Sequence, residues 1–68
     1  MEVADLAALL RETSEHHDPY EKKAPKHQWW DWYAAYMSAR RRGDTPEAAS
    51  EEAGRYVDGL LHEPAAGQ

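Results

Sequence analysis

His27-Gln28-Trp29-Trp30-Asp31-Trp32-Tyr33-Ala34-Ala35-Tyr36-Met37-Ser38-Ala39-Arg40-Arg41-Arg42 is the stretch that decides the fold of this 68-residue chain. It holds all three Trp and two of the four Tyr. Trp29, Trp32, Tyr33, Tyr36 and Arg40 recur at i, i+3, i+4, i+7 and i+11, and Trp30, Ala34 and Met37 form a second stripe, so the spacing predicts a helix over 27–42 contacted on two sides. Arg40, Arg41 and Arg42 sit where the helix dipole prefers positive charge, and Gly43 is placed for a left-handed C-terminal residue.

Downstream, Asp44-Thr45-Pro46-Glu47 is a helix start. Thr45 can cap, Pro46 suits a first position whose N–H would be unpaired anyway, and Glu47 puts negative charge in the first turn. A helix over 46–62 follows, with Ala49, Ala53, Tyr56, Val57, Leu60 and Leu61 facing inward and Pro64 ending it; residues 63–68 are expected to fray. Upstream, Val3, Leu6, Ala7, Leu9 and Leu10 give a one-faced helix over 2–17, expected to stop before Asp18-Pro19 because a residue preceding proline avoids the α region. Residues 18–26, with Pro19, Pro25 and three lysines, then read as an ordered loop anchored by Tyr20. No strand-like alternation and no internal repeat occur. The expected architecture is a single all-α domain over 1–68, a small antiparallel three-helix arrangement around an aromatic-rich middle helix.

Composition agrees with a small module and excludes larger machinery. Leu and Val total seven residues and Ile and Phe are absent, so the rings must supply core area, each burying on the order of 150–250 Å². Val3, Leu6, Leu9, Leu10, Trp29, Trp30, Trp32, Tyr33, Tyr36, Met37, Tyr56, Val57, Leu60 and Leu61 are the expected large core residues. Ala7, Ala8, Ala49 and Ala53 leave room for the indoles. The length excludes a doubly wound α/β enzyme or a barrel. Without Cys there is no disulfide, thiolate metal site or Cys nucleophile. The acidic opening lacks the basic start and apolar run of a secretory signal, and no run approaches a membrane span, so a cytoplasmic location is expected.

Charge is segmented. Residues 1–19 carry five acids and Arg11, residues 20–43 two acids and six bases, and residues 44–68 six acids and Arg55. A basic middle between acidic ends favours the middle helix lying between the other two.

Glu12, His16, His17 and His27 could hold a divalent metal, although the spacing matches no di-iron or His-Glu-x-x-His pattern, and His near a helix C-terminus also serves the dipole. Lys22, Lys23, Lys26 and Arg40–Arg42 beside Trp could bind single strands, but the net charge of −5 opposes phosphate and nucleic acid is not expected. Thr13, Ser14, Ser38, Thr45 and Ser50 stand in no nucleophile elbow or phosphate loop, and His27 with Asp31 is an ordinary i, i+4 pair, so no enzymatic activity is expected. Trp29, Trp30, Trp32, Tyr33, Tyr36 and Arg40 combine the residue types that dominate binding hot spots. The expectation is a non-catalytic interaction module, without cofactor, that forms a homo-oligomer or docks on a protein partner through this helix. The alternative is a small protein binding a hydrophobic ligand or a divalent metal beside the indoles.

The runs His16-His17-x-x-Tyr20-Glu21, Pro25-x-His27-x-Trp29-Trp30-x-Trp32-Tyr33-Ala34-x-Tyr36 and Gly43-x-Thr45-Pro46-Glu47-x-Ala49 together resemble a helical extension of actinobacterial glyoxalase/bleomycin-resistance proteins of the vicinal oxygen chelate class. The similarity spans about residues 6–57. That class builds its metal site on βαβββ units, and no such unit is readable here, so no ligand or catalytic residue transfers. The resemblance implies an accessory module that caps or docks on an enzyme.

Overall fold

A computed structural model describes residues 2–24 and 26–62 and contains, among them, α1 (Val3–Lys23), α2 (Trp29–Arg41) and α3 (Pro46–His62). The start of α3 forms as its sequence predicts. The Ala48 N–H donates to Thr45 Oγ1 at 3.2 Å, which satisfies a donor that the first helical turn otherwise leaves unpaired, and the Ala49 N–H donates to the Thr45 carbonyl at 2.8 Å as the first regular helical bond. Gly43, at φ 105°, supplies the left-handed step that turns the chain back. Across that turn Arg42 Nη2 lies 2.7 Å from both carboxylate oxygens of Glu52.

α2 begins two residues after the expected His27 and ends one before Arg42, a difference within ordinary helix-end variation. α1 departs further from its expected bounds of 2–17. It does not stop at His17 but runs through Pro19 to Lys23, so most of the expected 18–26 loop is helix. Pro19 has no N–H to give the Glu15 carbonyl, yet both residues are exposed and that carbonyl can be hydrated. The turns on either side are held by His17, buried against Trp32, and by Tyr20, which packs on the core. The helix closes instead at Ala24, whose N–H donates to the Tyr20 carbonyl at 3.0 Å. Ala24 itself is extended (φ −95°, ψ 156°), as suits a residue before a proline, here Pro25. The expected tail at 63–68 lies outside the described residues.

The core is aromatic on one side and small on the other. Trp32, Tyr36 and Ala39 of α2 meet Ala49, Ala53 and Val57 of α3, all buried, with Thr13 and His17 of α1 completing the set. Trp32 and Tyr36 stack with centroids 5.2 Å apart. Buried Thr13 is satisfied by donating to the Leu9 carbonyl at 2.6 Å. α2 packs on both neighbours, whereas α1 and α3 touch little, so the middle helix lies between the outer two as the charge segments predict.

Much of the expected core is nonetheless exposed: Val3, Leu6, Leu10, Trp29, Trp30, Tyr56, Leu60 and Leu61, as are Ala7 and Ala8. For α1 the cause is register. Glu12 faces Arg40, His16 faces Tyr36 and Tyr20 faces Trp32, so each turn gained along α1 is a turn lost along α2. Twenty-one residues make α1 about 31 Å long against about 20 Å for α2. Leu10 therefore meets the end of α2, and Val3 and Leu6 project beyond it.

Candidate functional site

The metal residues expected from sequence do not form one site. Glu12 and His16 belong to a network on the α1–α2 seam. The Tyr36 hydroxyl donates to Glu12 Oε2 at 2.6 Å, and the Arg40 guanidinium donates to the same oxygen at 2.6 Å. His16 Nδ1 lies 3.0 Å from the Glu12 carbonyl oxygen, so that nitrogen carries the proton, and 3.4 Å from the Tyr36 oxygen. The Arg40 hydrogen bond, opposed by partial burial and aided by Tyr36, holds the Glu12 carboxyl below the usual carboxylate range. Burial, with the neighbouring Glu12 carboxylate, pushes the Tyr36 hydroxyl far above its ordinary range. Glu12 is committed to this interface and lies outside the group that His17 and His27 form with Glu21. Arg40 is likewise an ion-pair partner here and not a free docking residue.

His17 and His27 do meet. Their Nε2 atoms are 3.1 Å apart, and Glu21 Oε1 lies 3.2 Å from His17 Nε2 and 3.6 Å from His27 Nε2. These three residues form a group with metal-ligand spacing among the described residues. The imidazoles are 8% and 3% exposed while Glu21 is 60% exposed. His17 and Glu21 are one turn apart on α1, and His27 comes from the segment leading into α2. Rings wall the pair: Trp32 and Tyr33 lie 5.2 and 5.4 Å from His17, and Tyr20 5.1 Å from His27. Burial pushes the His17 pKa below its ordinary value against the opposing pull of Glu21, which favours the neutral imidazole that coordinates metals. Glu21 belongs to the same acidic and histidine-rich run but was not among the expected ligands Glu12, His16, His17 and His27, because α1 was expected to stop before Pro19. The spacing His17-x-x-x-Glu21 is the signal that a continuous helix would have exposed.

The residues expected to bind a partner also divide. Trp32 and Tyr36 are 1% and 0% exposed and belong to the core, which removes them from any surface. Tyr33 is half-buried, and Trp29 and Trp30 are 55% and 53% exposed. Trp29 packs edge-on against Tyr33 at 5.0 Å, and Tyr33 against His17.

Between α1 and α3 runs an open groove of about 960 Å³, floored by Trp32 and walled by Pro19, Tyr20 and Gly54. Among the described residues, Trp32 Nε1 and Ser50 Oγ, of two residues that line it, are buried without a hydrogen-bond partner.

Fold and site thus define a small all-α protein with an aromatic core, a His-Glu cluster and two uncovered apolar ends. No protein-family model matches the chain, and neither curated proteins nor solved structures yield a match. No helix among the described residues is long and apolar enough to cross a membrane.

Proposed function

We propose that this protein is a non-catalytic interaction module that pairs with a second copy of itself along its α1–α2 face. The carrying observation is the stripe Val3, Leu6, Leu10, Thr13, His17 and Tyr20 on α1, which follows an alternating seven-residue spacing. Its second half is covered within the chain, with Thr13 and His17 buried, while Val3, Leu6 and Leu10 are 84%, 41% and 43% exposed. One continuous seam is half occupied.

α2 supplies the other half of the face. His17 of the seam packs on Tyr33, and Tyr33 on Trp29, so the exposed Trp29 adjoins the same face at the opposite end of the molecule. Two copies laid side by side and antiparallel about a two-fold axis bring each α1 overhang to the other's Trp29–Trp30 end, making the contact twice. Charge favours this arrangement: Glu2 and Asp5 flank the overhang, and Lys22, Lys23 and Lys26 lie at the indole end. An apolar surface of this extent on so small a chain is the usual mark of an interaction site.

Sedimentation equilibrium from micromolar to millimolar concentration tests the pairing. A reversible dimer is expected, converted to monomer by Leu6→Glu with helicity retained. A monomer throughout overturns self-association.

A further inference from the structure

We propose that His17, Glu21 and His27 bind one divalent transition-metal ion of the Zn²⁺ type, independently of self-association. Ligand-to-metal distances of about 2.0–2.1 Å at tetrahedral angles place neighbouring ligand atoms about 3.3 Å apart. The three separations here, 3.1, 3.2 and 3.6 Å, bracket that value. Two imidazole nitrogens and one carboxylate oxygen are a donor set suited to Zn²⁺ and its neighbours in the first row and poorly suited to Ca²⁺ or Mg²⁺, which take mostly oxygens. Three protein ligands leave a fourth tetrahedral position for water.

The arrangement is held before any ion arrives. Trp32, Tyr33 and Tyr20 fix the two imidazoles from the sides, so little further ordering of the rings accompanies binding. Glu21 lies on the solvent side and provides the entry path. An apolar wall behind the nitrogens strengthens the attraction between ion and carboxylate. The competing use of the same geometry is an N–H to N hydrogen bond between neutral imidazoles, which requires one Nε2 to keep its proton; a metal requires both nitrogens bare.

The test is titration with CoCl₂ and ZnCl₂ of the full chain. Binding of Co²⁺ with the visible absorption of a tetrahedral site is expected, at one ion per chain. Zn²⁺ at a hundredfold excess over its Kd should raise the unfolding midpoint on the order of 10 °C. Glu21→Gln, at an exposed position where the fold should persist, should weaken Co²⁺ binding at least tenfold, whereas His16→Asn should not alter it. Absence of the visible bands and of the thermal shift overturns the site. Equal binding by wild type and Glu21→Gln overturns it as well, since surface histidines would then account for the uptake.

Discussion

The Tyr36 hydroxyl donates a 2.6 Å hydrogen bond to Glu12 Oε2 across the α1–α2 seam. That bond, shared with Arg40, sets the register from which the rest of the molecule follows. It aligns the second half of α1 with α2 and leaves the first two turns beyond it.

Tyr36→Phe keeps the buried ring and removes this donor. Hydrogen bonds to charged acceptors contribute about 1.5–3 kcal/mol, and urea unfolding should show a loss of that order with an unchanged m-value. An unaltered midpoint would mean that Arg40 alone fixes Glu12.

The same carboxylate predicts an acid limb. Arg40 first and Tyr36 second lower the Glu12 pKa in the folded state against its ordinary value of 4.5. A depressed folded-state pKa stabilises the protein above the unfolded value, and that contribution is lost as pH falls from about 4.5 through the folded value. Urea unfolding followed from pH 7 to pH 3 should show this loss, and Glu12→Gln should lower stability at pH 7 while flattening the acid limb.

Burial separates neighbouring indoles. Trp32→Ala should cost about 3–5 kcal/mol and unfold much of so small a domain. Trp30→Ala should change monomer stability by no more than about 0.5 kcal/mol. Circular dichroism and thermal melts at concentrations below association distinguish the two, and equal effects would contradict the burial pattern.

Glycines divide by backbone. Gly43 has φ 105° with open space around an added Cβ, so Gly43→Ala carries a purely conformational penalty, more than about 1 kcal/mol. Gly54 and Gly59 lie inside α3, where a Cβ meets only Tyr20 Cε1 at 3.5 Å or nothing. Alanine at either should stabilise by about 0.5–1 kcal/mol. Opposite signs in thermal melts are the expected result.

Local chemistry was the legible part of the sequence. Thr45-Pro46 and Gly43 act within their own turn, through a side-chain cap, a missing N–H and a left-handed backbone step, so their reading survives in the fold unchanged. Proline rules misled at Pro19 because packing of His17 and Tyr20 outweighs one missing hydrogen bond, and the rule applies at Ala24-Pro25 instead. That single boundary kept Glu21 out of the expected ligand set. The exposure of Val3, Leu6 and Leu10 was not readable from their periodicity, because apolar spacing states which face seeks cover and says nothing of how far the neighbouring helix reaches. The interface role of Glu12 was not readable for a related reason: its partners Tyr36 and Arg40 are one turn apart on α2, and only the helix register brings them to it.

Intermolecular NOEs in a mixed sample of labelled and unlabelled chains test the paired α1–α2 face most directly. Cross-peaks from Leu6 and Leu10 methyls of one copy to the Trp29 and Trp30 indoles of the other are the predicted result. A dimer with cross-peaks at other surfaces, or a sample with none at millimolar concentration, would contradict it.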